Sequence, residues 1–352
     1  MENHKNTNSA QPGWYRTGGW ILAGILLLVG AIYIGWTILD GPPAVTRLIV
    51  YAFSTQEEVF DQEIFPAFEQ FWERETREDI QIEGVFGPSG TLAGQINLGA
   101  PADVAIFSNA NHVNWLKFGR RVKEDTQPIM IGATPIVIVT RAGNPLNLVE
   151  WADLMQPGAS LIHADPNSSG VGEWAILAEY GSAYLESGGP EIAQNQVQGI
   201  WKNVRLLAPS ARSALTLFEL GAGDALLTYE QDARLALARG VSLDIVIPSR
   251  TIIARPVAVL VDENIKSSER AVAQAFIDFL VGAEGQKIFN QYHLRPLSLN
   301  APGFPDLDQP FTEEDLGGGA QAYTELVEQL WQTQIKPGLD LEPVPALLNP
   351  EK

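Results

Sequence analysis

The sequence predicts an α/β protein with a mostly parallel sheet, and three observations carry that expectation. Short uncharged runs of strand character alternate with longer stretches of helical character. Three Ser/Gly segments, Gly87-Pro88-Ser89-Gly90, Asn167 to Gly172 and Ser210 to Ser213, stand where helices begin, and two of them closely follow a strand-like run. The length of 352 residues is enough for one large or two medium cores.

Taken in order from Arg47, Leu48–Phe53 reads as a buried strand. Glu57–Glu75 follows as an amphipathic helix with Phe60, Ile64, Phe68, Phe71 and Trp72 on one face, which marks core packing. Asp103–Phe107, Ile136–Thr140 and Ala225–Tyr229 are further buried strands, and the helices Ala214–Leu220 and Glu269–Phe279 separate the later ones. The tail after Pro337 is Pro-rich and acidic, the composition of a flexible end.

Ahead of this body, Trp20–Leu39 is an unbroken uncharged run long enough to cross a bilayer as a helix. Trp14, Tyr15, Trp20 and Trp36 sit near its ends, where aromatic belts lie, and Lys5 and Arg16 precede it while Asp40 follows. A cleaved signal peptide would have a shorter apolar core and a small-residue cleavage site, and Leu39-Asp40-Gly41-Pro42-Pro43 is a poor one. The expectation is a cytoplasmic N-terminus over 1–17, a retained transmembrane signal anchor over 18–39 and a linker over 40–46, with the body outside the cytoplasm.

The net charge of −19, with Lys and Arg scattered singly, excludes the basic stripe that nucleic acid demands. The chain has no cysteine, so disulfides, thiolate metal sites and a cysteine nucleophile are excluded. His4, His112, His163 and His293 fall in no metal-ligand spacing, and each is expected as a surface or supporting residue. No nucleophile-base pair or paired carboxylates mark an enzyme, and no cofactor is expected.

The Ser/Gly segments point instead to a small oxyanion. A helix start leaves backbone N–H groups unpaired and carries partial positive charge, so small residues there let an anion approach the main chain. A fully ionised tetrahedral anion only accepts hydrogen bonds, so its site needs donors and no carboxylate acceptor. Phosphate, which keeps a proton at neutral pH, ranks below it, because no Asp or Glu lies inside these loops except Glu173, just past the second.

The run from Ile136 to Tyr184 carries a resemblance: Ile136 to Pro145, Trp151-Ala152-Asp153-Leu154, Gln156-Pro157-Gly158, Asp165 to Gly170, and Trp174. Gly223 to Glu230, Ala254 to Val259, Gly285-Gln286-Lys287-Ile288 and Leu294-Arg295-Pro296 extend it in the same order. Over Leu48 to Ile335 the chain resembles the periplasmic sulfate-binding proteins of ABC importers, which are related to the molybdate-binding proteins. The resemblance implies a type II two-lobed periplasmic-binding-protein fold with the ligand cleft between lobes. It places the first lobe at 47–132 and 255–336, the second at 133–254, and the flexible tail at 337–352, with hinge segments near Thr134 and Ala254. It implies a monomeric receptor, not an enzyme, that delivers sulfate or thiosulfate to a membrane permease and its ATPase.

Carried over by position, the resemblance implies ligand contacts from Ser89 and Gly90 in the first-lobe serine loop. It also implies contacts from Ser169, Gly170 and Val171 at a helix start, and from Ala211 as a backbone donor. Tyr229 stands where sulfate receptors have a tryptophan, and tyrosine there is similar to the molybdate group; Ser54 replaces part of a missing Tyr-Asp-Pro as a hydroxyl donor. Arg212 is expected to orient its loop through an ion pair. Two alternatives stay open at this level: a molybdate or tungstate receptor, and an extracytoplasmic sensor or interaction domain that has lost transport.

Overall fold

Twelve strands form two separate sheets in this computed structural model, which describes residues 46–342 other than 188, 318 and 319. The expected span Trp20–Leu39 lies outside the described residues; within them, no helix is long and apolar enough to cross a membrane. The strands are β1 (Thr46–Phe53), β2 (Ile80–Gly87), β3 (Val104–Phe107), β4 (Ile129–Met130), β5 (Thr134–Arg141), β6 (Leu161–Ala164), β7 (Val204–Ala208), β8 (Ala225–Tyr229), β9 (Leu243–Val246), β10 (Arg250–Ala254), β11 (Val257–Leu260) and β12 (Gln309–Phe311). The helices that matter here are α1 (Phe65–Thr76), α2 (Ser89–Asn97), α3 (Asn111–Phe118), α4 (Gly170–Ser187), α5 (Pro190–Trp201), α6 (Ala211–Glu219), α7 (Glu230–Ala238), α8 (Arg270–Val281), α9 (Ala283–Gln291) and α10 (Ala320–Leu330).

The first sheet runs β2-β1-β3-β11-β4 and the second β12-β10-β5-β8-β6-β7, with β9 paired to β5. Each sheet is the floor of one lobe. The sheets are mixed rather than mostly parallel. β1–β3, β6–β7, β6–β8 and β10–β12 are parallel, but β11 runs antiparallel to β3 and β4, and β5 antiparallel to β8, β9 and β10. The physical reason is the double crossing: a chain that leaves one sheet and later returns must run back against the strands it left.

The crossings lie side by side. One joins β4 to β5 and the other β10 to β11, and the strands on either side are paired, Thr134 with Ala254 in the second sheet and Met130 with Val257 in the first. Ile131 N–H donates to Pro256 O (2.9 Å) between the crossing strands. Ala133 and Arg295 exchange both backbone bonds, so a third segment is stitched to the crossing.

The chain from β12 onward departs from the expected division. β12 pairs with β10 in the second sheet, Ile252 opposite Phe311, and α10 packs on α4, so the chain after β12 belongs with the second lobe rather than the first. Parallel pairing requires a long return connection, and a boundary placed by sequence at Ala254 alone misses it. The tail is also tied down as far as Glu342, whose N–H donates to Arg205 O while Arg205 pairs with Asp340 (2.7 Å); residues 343–352 lie outside the described residues.

The first-lobe core is aromatic: Phe60, Phe65, Phe68, Phe276 and Phe289 are buried, with Phe68 edge-on to Phe276 at 5.1 Å. The expected helix Glu57–Glu75 is real but opens through a wide turn at Phe60–Ile64 before α1. Pro66 lacks the N–H an α-helical ladder would use, and Phe65 N–H bonds back to Phe60 O across the wider loop.

Candidate functional site

The site forms where strand ends of both sheets meet helix starts. α2 begins at Ser89 after β2 and Pro88, α4 at Gly170 after the loop from β6, and α6 at Ala211 with Ser210 as its cap, the Ser210 hydroxyl accepting from Ser213 N–H (3.0 Å). The backbone N–H groups of Ser89, Gly170, Val171 and Ala211 meet no acceptor among the described residues. These are the orphan donors of a helix first turn, and each belongs to a buried or close-packed residue.

Ser108, just past β3, lies at the centre of the contacts. Ser89 Oγ lies 3.2 Å from Ser108 Oγ and accepts from Ser108 N–H at 3.2 Å. Gly170 approaches from the second lobe so closely that a Cβ there would overlap Ser108 Oγ, so any side chain would have to displace that hydroxyl. The Tyr229 hydroxyl at the end of β8 is buried and points at the Ser108 side chain without closing a hydrogen bond. Burial drives its pKa well above the usual phenol range, so it stays a neutral donor. Ser168 Oγ donates to Pro209 O (2.8 Å), drawing together the loops that precede Gly170 and Ala211.

Three hydrogen bonds cross the cleft beside these donors. Gly90 N–H donates to Ser168 O (3.0 Å), Trp174 Nε1–H to Ser108 O (3.0 Å), and Asn109 Nδ2–H to Glu173 Oε2 (2.7 Å). The lobes are therefore closed. Gly90, expected as an anion donor, uses its N–H in this closure instead, and its Cα lies so near Ser168 O that a Cβ would sit 3.0 Å away. Trp174, expected as core packing, is buried and stacks on Tyr323 (5.8 Å, 9°), but its indole N–H also latches the lobes.

Ser169 is buried beside Gly170, and Ser54 is half-buried at the end of β1, after Phe53, whose ring is edge-on to Tyr229 at 6.0 Å. Neither hydroxyl takes a partner among the described residues. Thr55 behaves differently, facing Asp232, which also receives the Thr228 hydroxyl (3.1 Å). Asp232 and Glu173 lie on the field of Tyr229, and burial pushes each carboxyl up to about 7. Arg212 lies 4.0 Å from Glu57 of the first lobe, outside the ring of donors.

His112 is buried behind the serine loop with its Nε2 near Gly90, and burial lowers it to about 3, so it is neutral. His163 is wholly buried against Trp201 rather than at the surface. Ser108 and Asn109 were not singled out by the sequence pattern. The signal was present, because Phe107-Ser108-Asn109-Ala110-Asn111 is another strand-to-helix turn of small polar residues, but without Ser/Gly pairs it resembled an ordinary cap.

Comparisons with known proteins find relatives over most of the chain. Residues 48–295 match the family model for bacterial extracellular solute-binding proteins. The sulfate-binding protein of Synechococcus elongatus is 31% identical over 299 residues, covering 81% of this chain and 84% of that protein. The thiosulfate-binding protein of Pseudomonas aeruginosa is 30% identical over 277 residues, covering 73% and 82%. Among solved structures, the sulfate-binding protein SubI from Mycobacterium tuberculosis H37Rv superimposes with a TM-score of 0.70 at 26% identity, covering 84% of this chain and 99% of that one. The two-lobed fold and the family resemblance read from Ile136 to Tyr184 are thereby borne out.

Proposed function

Because this chain belongs to the family of bacterial extracellular solute-binding proteins, a family of binding proteins and not of enzymes, we propose that it captures sulfate or thiosulfate and hands it to an ABC importer. The observation that carries this reading is the set of unpaired donors at the closed cleft: the N–H groups of Ser89, Gly170, Val171 and Ala211, with the hydroxyls of Ser54, Ser169 and Tyr229, beside the mutually bonded pair Ser89–Ser108. Buried polar groups without partners are costly, and a tetrahedral oxyanion with only acceptors is the ligand that satisfies them. Hydrogen bonds to a charged group contribute roughly 1.5 to 3 kcal/mol each, so about six supply on the order of 10 kcal/mol. Micromolar binding needs about 8 kcal/mol before closure and desolvation are counted.

No Lys or Arg is needed at the anion. Local dipoles of three helix starts act at contact distance, whereas the surface charge of −19 is distant and screened. The lobes in this reading are Arg47 to Gly132 with Arg255 to Leu299, and Ala133 to Ala254 with β12 and the chain after it. They would open about the paired crossings at Ile131–Ala133 and Arg255–Pro256. Trp20–Leu39 would tether the body outside the membrane, which retention of the protein in alkali-washed membranes would check.

Molybdate is the second reading, favoured by Tyr229, whose phenol reaches differently from an indole. Isothermal titration with sulfate, thiosulfate, molybdate and phosphate, on wild type and Ser169→Asp, tests both. Tight binding of one dianion, lost by at least a thousandfold when a carboxylate enters the donor ring, supports the reading and identifies the ligand. Silence toward all four in the wild type would overturn it in favour of a sensor or interaction role.

A further inference from the structure

Glu173, in the first turn of α4, is buried and touches both lobes. Its Oε2 accepts from Asn109 Nδ2–H of the first lobe (2.7 Å) and meets Tyr323 Oη (3.2 Å) on α10 of the second. Asn109 Nδ2 in turn lies against Gly170, 3.2 Å from where its Cβ would be, so the amide that Glu173 holds borders the anion donors. The titratable groups facing Glu173 are Tyr323 and Glu328 on α10 and Tyr229 at the end of β8; Asn109 and Asn111 supply neutral amides. Among the described residues no cation pairs with it.

An ionised carboxylate there would stand beside a bound dianion with no counter-charge, and Glu328 would add to the repulsion. We infer that Glu173 is a positioning residue that carries a proton in the closed, loaded protein, so that capturing the oxyanion takes up one proton from solvent at this carboxyl. This rests on the anion site proposed above. When Glu173 is protonated, Tyr323 Oη accepts its proton in a hydrogen bond, while the other carboxyl lone pairs still hold Asn109 in place across the cleft.

The sign follows from burial. In the closed form the carboxyl is raised to about 7 from an ordinary 4.5, and opening withdraws Asn109 and admits water, returning it toward that ordinary value. A raised group favours closure most fully below the open-state value and loses that contribution as pH rises through about 7. Binding should therefore tighten as pH falls from 7.5 to 5.5, by about twentyfold for a single group.

The test is calorimetry of sulfate binding at pH 6 in buffers of unlike ionisation enthalpy, which counts protons, together with Kd at pH 5.5 and 7.5. Uptake of about one proton by the wild type, and little uptake with a pH-flat Kd in Glu173→Gln, is the expected result. Binding without proton uptake in the wild type overturns the inference and needs no variant to show it. Uptake that persists in Glu173→Gln and vanishes in Asp232→Asn also overturns it, by moving the proton to the other buried carboxyl. Failure of sulfate, thiosulfate and molybdate to bind the wild type at every pH would instead sink the reading of the site itself.

Discussion

Two of the places where the lobes meet are of opposite chemistry, the floor of the cleft and its rim. At the floor, contacts are short, buried and mostly uncharged: Gly90 to Ser168, Trp174 to Ser108, and Asn109 to Glu173. At the rim, Glu57 and Glu58 of the first lobe face Arg212 and Arg239 of the second, with Arg239 2.9 Å from Glu58 and 3.4 Å from Glu219. These rim residues line a cavity of about 530 Å³ with Asp61, Gln62 and Thr216. The difference teaches where this acidic protein keeps its charges relative to the anion site proposed for it. Arginine is placed at the rim, paired with carboxylates, while the floor offers backbone dipoles, hydroxyls and the buried carboxyl of Glu173, held by Asn109 and Tyr323.

The comparison is broken most forcefully at the floor. Gly170→Ala puts a methyl group into Ser108 Oγ. Overpacking of this kind costs about 1 to 3 kcal/mol, here charged against closure rather than folding. Affinity for the proposed anion should fall by about five- to hundredfold by calorimetry while each lobe keeps its melting behaviour. An unchanged Kd would mean that the lobes do not need this approach to bind.

Tyr229→Phe separates ligand contact from core packing. The buried hydroxyl has no partner in the closed protein, so its removal should leave stability unchanged or raise it by about 1 kcal/mol. Binding should weaken by about 1.5 to 3 kcal/mol, roughly ten- to hundredfold, because a donor to a charged group is lost. Loss of stability with intact binding would make Tyr229 an ordinary core residue.

Arg239→Ala should matter least. Its pairs are partly exposed, and exposed ion pairs contribute about 0 to 1 kcal/mol, so a Kd change of about threefold or less is expected. That small effect should vanish in high salt. A tenfold loss at 0.15 M ionic strength would show that the rim, not the floor, holds the protein closed.

Much of the site was legible in the chain because its chemistry is local. A helix start after a strand exposes N–H groups wherever it occurs, so Ser89, Gly170, Val171 and Ala211 could be named from Ser/Gly spacing and family pattern. The engagement of Gly90 N–H with Ser168 of the other lobe is not legible in the chain, because that contact has no sequence-local trace. Ser108 and Asn109 were passed over for a similar reason: an Ser-Asn turn gains importance only when another lobe brings Gly170 and Glu173 against it.

The sequence by itself determined the buried strands, the amphipathic helices and the small-residue helix starts, since periodicity and backbone donors depend on neighbours along the chain. It determined the family as well, through motifs kept in order over most of its length. Only the tertiary structure decided that the sheets are mixed, that β12 and α10 return to the second lobe, and that Glu173 is buried between lobes. Those outcomes depend on pairings across long sequence separations, where burial and desolvation are set by what the fold brings together and not by what lies adjacent in the chain.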